Sequence, residues 1–405
     1  LGHTFQELYE QFKVHLSRKY EVQRQQVERQ GKTPFKEVTD YGEACGTPRF
    51  SHDGKELVFI DTDGRSQFKV KVLDTATDKV VDSFVIYGGS GVDFTPDGRY
   101  LVYGASAIYR TVYSYHDPYV RHRATGQVRR LTDGLRARDP AVSPEGGRVV
   151  FTVNELGTMS LMMVPFDGGE ARMLLRGLPG DQLYTPRWSP DGESVVYSRW
   201  RQGGRRDIEL LVVKTGKTRR LTDDRALDMD PTFSPDGRRV YFSSDRSGIY
   251  NLYSVDIQSG DVLQVSNVLG GAFTPAISPA EDRAYFVSFS ARGFDLASMG
   301  LSRQRLKPAM PYVNDRPAPR PSPPAVEPFP EGPYSALQTI LPDAWTFLLG
   351  ADAYGTTLGF QVAGADVAGL HSYLLNANFS TVNGHPNYSL IYGYNGLWPS
   401  LRLDT

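Results

Sequence analysis

The chain has 405 residues, enough for two or three domains, and its 45 Lys and Arg residues nearly balance its 46 Asp and Glu residues. The resulting formal net charge of −1 excludes a general electrostatic attraction to nucleic acid or to anionic lipid. The single cysteine, Cys45, excludes an internal disulfide, and the 40 glycines and 27 prolines indicate many short elements joined by turns.

Residues 1–33 are predicted to form an amphipathic helix. Apolar residues recur at spacings of three and four over the first twenty positions, with charged residues between them. Thr4 and Glu7 form the pattern of a capping box, and Gly31 is expected to end the helix. Because a short helix gains most of its stability from packing, it is expected either to pack on the following domain or to end an upstream one.

A repeated turn organises residues 34–304. Each copy begins at a hydroxyl residue, usually followed by Pro, an acidic residue and Gly, and successive copies lie 44 to 48 residues apart. Pro, Asp and Gly suit a tight turn, and the residues after each turn have the alternation and composition of strands. A period of this length, with four short strands in each, is typical of β-propeller blades. The copies begin at Ser51, Thr95, Ser143, Ser189, Ser234 and Ser278.

Five of these turns contain a glycine at an equivalent place. We predict that these residues bend the backbone once in each blade, and that the sixth copy, Ser-Pro-Ala-Glu, is a degenerate version of the same turn. The chain is therefore predicted to contain a six-bladed β-propeller. The predicted structural turn residues are Gly54, Gly98, Gly146, Gly192 and Gly237.

An outer-strand pattern also precedes the first blade. Arg-Arg-Leu-Thr-Asp at 129–133 precedes the third turn, and Lys-Glu-Val-Thr-Asp at 36–40 precedes the first. Because a propeller with free ends exposes strand edges, we predict that residues 35–40 complete the sixth blade beside Phe294–Met299. The alternative is that residues 304–308 supply that strand.

Two segments within the repeats are candidate binding loops. The second repeat carries a Tyr-rich insertion in 108–120, and the fourth carries several arginines around Trp200. The alternatives are aromatic packing between strands for the first segment and a solvated hairpin for the second. The candidate residues are Tyr109, Tyr113, His116, Tyr119, Arg201, Arg205 and Arg206.

The composition changes after the repeats. Residues 305–343 are rich in proline, which predicts a stiff, extended linker. Residues 344–405 then show strands near the ten-residue length that crosses a membrane, and in 388–395 apolar and polar residues alternate. This alternation is what a barrel in a bilayer requires, because every backbone group there must pair internally. The alternative is a small soluble sheet.

Three parts of the chain resemble known families. The Ser-Pro-Asp-Gly turns, together with Ser-Asp-Arg-Ser-Gly at 244–248 and the Arg-Arg-Leu-Thr-Asp runs, resemble the repeats of TolB-type six-bladed propellers. Prolyl-oligopeptidase-type peptidases carry similar propellers. Residues 344–405 resemble the first strands of outer-membrane barrels of the BamA or surface-antigen kind, and the first helix resembles the closing segment of gluzincin-like metallopeptidase domains. The TolB resemblance implies protein partners in the Gram-negative envelope.

No catalytic constellation is recognised in the sequence. There is no His-Glu-x-x-His motif for zinc, and Gly88–Gly91 lacks the further glycine of a nucleophile elbow. His116 and His122 are not spaced as metal ligands are. We therefore expect no cofactor, no metal and no catalysis from these residues.

The sequence predicts an all-β chain that is a fragment of a longer protein. It would comprise a short N-terminal helix, a six-bladed β-propeller, a linker and an incomplete antiparallel β-barrel segment. The predicted function is a non-catalytic scaffold in the periplasm that binds a protein or peptide at a propeller face. The last segment would tether it to the outer membrane of a Gram-negative bacterium. The alternatives are an accessory propeller of an upstream metallopeptidase or of a prolyl-oligopeptidase-type serine hydrolase.

Overall fold

The computed structural model describes most of the chain, and its described residues fall into two compact units, Leu1–Pro319 and Arg320–Thr405. Apart from one long helix and one short 3₁₀ helix, the regular structure of these residues is antiparallel β-sheet. The side chain of Tyr109 lies outside the described part. The described residues are 2, 4–109, 113–302, 306–310, 312, 332–351, 355–382, 384–397 and 400–404.

Helix α1 spans Phe5–Gln30 and begins at the predicted capping box. Thr4 Oγ1 accepts a hydrogen bond from the Glu7 amide at 3.3 Å, and Glu7 Oε2 accepts one from the Thr4 amide at 2.8 Å. The second half of the helix packs on the rest of the first unit. There Val27 is buried, and its carbonyl accepts a hydrogen bond from Asn267 Nδ2 at 2.9 Å. Within the described ranges, no helix is both long and apolar enough to cross a membrane.

The described residues of the first unit form six antiparallel sheets, which we number 1 to 6 in chain order. A two-residue strand, β1 (Lys36–Glu37), precedes them. Sheet 1 consists of β2 (Ala44–Phe50), β3 (Glu56–Thr62), β4 (Lys69–Asp74) and β5 (Lys79–Val85). Sheet 2 consists of β6 (Gly89–Phe94), β7 (Tyr100–Tyr109), β8 (Tyr113–His122) and β9 (Val128–Arg130). Sheet 3 consists of β10 (Ala137–Val142), β11 (Arg148–Glu155), β12 (Thr158–Pro165) and β13 (Arg172–Leu175).

Sheets 4 to 6 repeat this arrangement of consecutive, antiparallel neighbours. Sheet 4 consists of β14 (Gln182–Trp188), β15 (Ser194–Arg201), β16 (Arg205–Val212) and β17 (Lys217–Arg220). Sheet 5 contains β18 (Asp228–Phe233), β19 (Arg239–Ser244), β20 (Asn251–Asp256) and β21 (Val262–Gln264). Sheet 6 contains β22 (Ala272–Ile277), β23 (Arg283–Ser290) and β24 (Gly293–Gly300). We call the first strand of each sheet its inner strand, because these strands contact one another from each sheet to the next and β22 contacts β2.

The hydrophobic core lies between successive sheets. The second strands carry consecutive buried residues, such as Leu57–Ile60 of β3, so that these sheets bury apolar side chains on both of their faces. The same packing joins sheet 6 to sheet 1, where Leu57 and Phe59 of β3 form one fully buried cluster with Tyr285 and Leu296. Sheets 6 and 1 therefore pack against each other, as well as against sheets 5 and 2 respectively.

The strand predicted to complete sheet 6 is present at β1. Lys36 pairs with Ser298 of β24, and Glu37 pairs with Ala297. The segment continues with the Val38 amide, which donates to the Leu296 carbonyl at 2.7 Å. The predicted segment 35–40 therefore occupies the outer edge of sheet 6.

The alternative strand for sheet 6 lies elsewhere. Lys307 and Pro308 form β25 (Lys307–Pro308), which pairs with β21 and adds a fifth strand to sheet 5. These two residues were predicted to belong to the linker that begins at residue 305, and the structure instead places them in a sheet. Residues 311 and 313–331 of the predicted linker lie outside the described residues.

The second unit is one five-stranded antiparallel sheet in which every strand pairs with its neighbours in sequence. Its first strand begins at Pro342, inside the predicted linker, and a 3₁₀ helix at Ala336–Gln338 precedes it. The strands are β26 (Pro342–Ala351), β27 (Thr356–Ala365), β28 (His371–Ser380), β29 (Pro386–Tyr394) and β30 (Leu401–Asp404).

The two faces of this sheet differ in polarity. On one face the pairs Phe347–Phe360 and Ala377–Tyr388 continue across the strands, and both phenylalanines and Tyr388 are exposed. The other face carries a ladder of amides and hydroxyls, in which Gln361 Nε2 donates to Asn376 Oδ1 at 2.7 Å and Asn376 Nδ2 donates to a serine hydroxyl at 3.1 Å.

Candidate binding site

The six inner strands share a backbone feature at one equivalent position. Five residues other than glycine have φ between 44° and 54° there, and the glycine of sheet 2 has φ of 140°. At each position the register with the second strand shifts, which is the pattern of a β-bulge. Because a left-handed conformation costs an L-residue about 1–2 kcal/mol, its repetition indicates a feature that the surrounding structure imposes. The residues are Thr47, Gly91, Asp139, Thr185, Asp230 and Thr274.

A cavity of about 460 Å³ opens where the inner strands run into the repeated turns. We call it the central cavity, because all six sheets contribute to its lining. The outer part of the lining is one turn residue from each sheet, namely His52 and five prolines, all exposed or half-exposed. Arg187 and Trp188 are buried members of the lining. The five prolines are Pro96, Pro144, Pro190, Pro235 and Pro279.

The turn glycines bring neighbouring turns into contact around this opening. Gly54 has φ of 73°, and a Cβ atom there would lie 3.0 Å from Cδ of Pro279 in sheet 6. A Cβ on Gly146 would likewise lie 3.2 Å from Pro96 of the preceding sheet. At these two positions a side chain would both strain the backbone and press on the rim. The other three predicted turn residues, Gly98, Gly192 and Gly237, have φ of 67°, 70° and 69°.

Two arginines reach the central cavity from equivalent positions in sheets 1 and 4. Both follow a Thr-Pro pair, and in both the Nη1 atom donates to the proline carbonyl at 2.6 Å: Arg49 to Pro48, and Arg187 to Pro186. Arg187 is only 5% exposed. Its Nε and Nη2 atoms are buried and have no hydrogen-bond acceptor among the described residues, and the same is true of Arg49 Nε. Arg49 and Arg187, which both line the cavity, therefore carry buried cationic donors that no described residue pairs.

Asp93 occupies the same position in sheet 2. Its carboxylate accepts hydrogen bonds from the amides of Phe94 and Val142, both at 3.0 Å. Burial raises the pKa of Asp93 to about 6, although the charge of Arg49 and the two amides act in the opposite direction. Burial also lowers the pKa of Arg49 to about 10.

Two further carboxylates lie at the bulge positions. Burial raises the pKa of Asp139 to about 6, and it also raises the pKa of Asp230, which the charges of Arg206 and Arg49 oppose. The Thr185 amide donates to Asp139 Oδ2 at 3.3 Å. The inner strands thus surround the axis of the sheets with charged groups of both signs, an arrangement that can hold a polar or charged ligand.

The described residues of the Tyr-rich segment that was predicted as a binding loop lie in the paired strands β7 and β8. Tyr113 pairs with Tyr109 near the tip and is exposed. Tyr119 lies deeper in the sheet, where its ring stacks on Tyr103 with centroids 5.8 Å apart. His116 is half-buried, and its pKa is lowered by burial and by a nearby arginine. Packing between strands therefore accounts for Tyr119, whereas Tyr113 is available at the hairpin tip.

The predicted arginine cluster is largely engaged within sheet 4. Arg201 forms an ion pair with Asp207 at 3.3 Å, and Arg205 forms an exposed ion pair with Asp223 at 3.4 Å. The guanidinium group of Arg206 lies 4.4 Å from the centre of a tyrosine ring. None of the six predicted loop residues whose side chains are described lines the central cavity.

The residues of the central cavity were missed by the sequence analysis, although a signal was available. Arg49, Asp93 and Arg187 each lie two positions before the hydroxyl residue that opens a repeated turn. Reading that single position down the six repeats would have selected two arginines and an aspartate. These residues lie inside regular strands, where no irregular segment or loop marks them.

A metal centre is not evident in the described part of the chain. Among those residues, no group of three or more His, Cys, Asp or Glu side chains is placed as the ligands of an ion would be. Cys45 is half-buried, and burial raises the pKa of its thiol.

Sequence comparisons identify relatives of the repeated region. The family model described as TolB beta propeller domain matches residues 9–203 and 174–324. An uncharacterized protein of Agrobacterium fabrum is 29% identical over 204 residues, which are 50% of this chain and 67% of that protein. The Tol-Pal system protein TolB of Francisella tularensis is 34% identical over 95 residues, which are 22% of this chain and 21% of that protein.

A solved structure shows the same fold. TolB from Acinetobacter baumannii superimposes with a TM-score of 0.51 and 21% sequence identity, over 59% of this chain and 58% of that one. The chain thus spans about a fifth of the Francisella relative and under two thirds of the Acinetobacter structure. The described fold is all-β with one long helix, and its first unit has a TolB-like propeller fold.

Proposed function

This chain belongs to the TolB beta propeller domain family, and from that premise we propose that it is a protein-binding scaffold of the Gram-negative cell envelope. Its propeller would have six blades, and a protein or peptide would bind at the propeller face that carries the central cavity. The last strands would tether the molecule to the outer membrane. The role of the whole protein, including its periplasmic location, is part of this proposal.

The order of the sheets supports the six-bladed architecture. Each inner strand contacts the inner strand of the next sheet, and β22 contacts β2. The apolar cluster between sheets 6 and 1 has the same character as the clusters between the other sheets. The pairing of β1 with β24 also covers an edge that would otherwise be open.

The central cavity is the observation that carries the binding function. It draws its lining from all six sheets, and its wall contains buried donors of Arg49 and Arg187 that no described residue satisfies. Leaving a buried polar group unpaired costs about 1–3 kcal/mol, and more for a charged group. A partner that supplies acceptors would recover that cost. The rim of prolines and His52 would contact the partner around the opening.

The polarity of the second unit supports the membrane tether. Trp345, Phe347 and Leu349 alternate along β26 and are all more than 70% exposed, whereas the opposite face carries the amide and hydroxyl ladder. An outer-membrane barrel has this arrangement, with apolar side chains toward lipid and polar ones toward the interior. We infer that residues 344–405 are the beginning of such a barrel.

Site-specific photo-crosslinking in the producing bacterium tests the binding function. His52 at the cavity rim is replaced by p-benzoylphenylalanine, and the matched control carries the same group at Asp167, an exposed turn residue outside the cavity. The proposal predicts discrete adducts with an envelope protein from position 52 only. Equal labelling from both positions, or none from position 52, would contradict it.

A further inference from the structure

We propose that the central cavity recognises a carboxylate group of a peptide ligand, which binds between Arg49 and Arg187. This inference rests on the proposed binding function and specifies its chemistry. The carboxylate can be the C-terminus of the peptide or the side chain of an Asp or Glu residue, because the two groups offer the same pair of acceptor oxygens.

The buried donors determine the charge of the ligand. Arg187 is fixed by the hydrogen bond from Nη1 to the Pro186 carbonyl, which leaves Nε and Nη2 without acceptors among the described residues. An arginine stays charged at neutral pH, and its planar group matches a carboxylate with two parallel hydrogen bonds. A neutral ligand would satisfy the donors but would add no negative charge beside the two arginines.

The two arginines approach the ligand from opposite sides. They stand at the same position of sheets 1 and 4, and two sheets separate them in either direction around the axis. The guanidinium of Arg49 is oriented in the same way, by its own hydrogen bond to the Pro48 carbonyl. Repetition of Thr-Pro-Arg in only these two repeats thus produces a pair of opposed cationic groups.

Asp93 partly offsets the positive charge of the two arginines. It lies on the cavity wall near Arg49, and hydrogen bonds from the Phe94 and Val142 amides hold its carboxylate in place. With Asp93 ionised, the three groups carry a net charge of +1, which one carboxylate neutralises. A ligand with several negative charges, such as a phosphate, would meet repulsion from Asp93.

The rest of the lining favours a peptide as the source of the carboxylate. Phe94, Trp188 and Phe233 contribute apolar surface beside the arginines, and the rim is formed mainly by proline. Apolar walls around a few convergent polar groups are typical of ligand sites in general, and the apolar part of this lining suits the side chains of a peptide. An acidic oligosaccharide would need hydroxyl-binding groups along the wall instead, and it is therefore the alternative outcome of the test.

The test measures retention of tethered random hexapeptides by the full chain. One pool has a free C-terminus and no Asp or Glu, a second has an amidated C-terminus and one acidic residue, and a third is amidated and lacks acids. A galacturonate oligomer is the fourth probe. We expect the first or second pool to be retained at least about tenfold more than the third, as befits hydrogen bonds to a charged group. The preferred pool identifies the source of the carboxylate.

The variants identify the groups responsible. Arg187→Gln is expected to reduce retention of the preferred pool to the level of the third pool. Arg49→Gln is also expected to reduce retention of the preferred pool. Arg187→Lys keeps the charge but loses the paired donors, so it should retain the preferred pool less than the natural chain does and more than Arg187→Gln does. Arg172→Gln, which changes an exposed arginine on the outer strand β13, should have no effect. Because Arg187 is buried, Arg49→Gln decides the test if Arg187→Gln does not fold.

The outcomes separate this inference from the proposed function. Equal retention of all three peptide pools, unchanged in the arginine variants, would overturn carboxylate recognition while peptide binding stands. Retention of the galacturonate oligomer alone would overturn the peptide as the ligand. If no probe is retained and His52 gives no crosslinks, both the inference and the proposed function are wrong.

Discussion

Asp93 is a carboxylic acid that the fold holds where solvation is poor, and this has a consequence for stability. Burial raises its pKa from 3.8 to about 6, so the folded state binds more protons than the unfolded state between about pH 4 and pH 6. The stability from this residue is therefore fully present below about pH 4 and is lost as the pH rises through 6.

Replacing Asp93 by Asn should remove this dependence. We expect the free energy of unfolding of Asp93→Asn to fall less between pH 4 and pH 7 than that of the natural chain, by on the order of 1–3 kcal/mol. Urea denaturation at four pH values measures it. Asp167→Asn, which changes an exposed turn residue, should leave the profile of the natural chain unchanged. Parallel profiles for the natural chain and Asp93→Asn would show that the carboxylate titrates normally.

Single residues were predictable from sequence where local geometry dictated them. Gly54 could be assigned to a turn because Ser-His-Asp-Gly has the composition of one, and its φ of 73° is the kind that favours glycine. Arg49 and Arg187 could not be assigned to one cavity in this way. They are separated by more than 130 positions in the sequence, and only the order of the sheets around a common axis brings them together.

The residues that follow β1 bind a carboxylate of β24 in sheet 6, as the residues that follow β9 bind a carboxylate of β8 in sheet 2. Thr39 Oγ1 donates to Asp295 Oδ1 at 3.0 Å, and the Gly42 amide donates to the same oxygen at 3.2 Å. In sheet 2, Thr132 Oγ1 and the Gly134 amide bind the carboxylate of Asp117 in the same manner. The segment after β1 therefore supplies to sheet 6 what the segment after β9 supplies to sheet 2.

Truncation should show how much this pairing contributes. Deletion of residues 1–42 removes the strand and helix α1, whereas deletion of residues 1–31 removes only the helix. We expect the longer deletion to lower Tm by about 10 °C more than the shorter one, because it also removes several backbone hydrogen bonds and uncovers a sheet edge. Differential scanning calorimetry measures both. Identical melting temperatures would mean that the segment is not part of the cooperative unit.

Elements were predicted best where periodicity and turn chemistry agreed. The strands Thr356–Ala365 and His371–Ser380 have the ten-residue length that was predicted for strands in residues 344–405. The strand β26 begins earlier than predicted, at Pro342, because proline is compatible with the first residue of a strand although it suggests a linker in sequence. For the same reason Pro308 was read as linker, whereas it pairs at the edge of sheet 5.

For the whole molecule, the proposed membrane tether requires one face of the sheet in the second unit to meet lipid. Phe347 and Thr346 are neighbours on β26, and both are exposed, but their side chains point to opposite faces of the sheet. Phe347 belongs to the apolar face and pairs with Phe360, whereas Thr346 pairs with Gln361 of the polar ladder. This neighbouring pair allows the two faces to be compared with the same substitution.

In the protein as the cell makes it, Phe347→Arg should reduce recovery in the outer-membrane fraction, since a cation in the middle of a lipid-facing strand costs about 2–4 kcal/mol. Thr346→Arg should be tolerated, because the interior of such a barrel is polar. Fractionation with immunodetection measures both. Equal recovery of the two variants would indicate that the apolar face is not against lipid, and recovery of the natural protein only in the soluble fraction would remove the tether. Either result would leave the central cavity intact as a binding site, because all the residues that line it belong to the first unit.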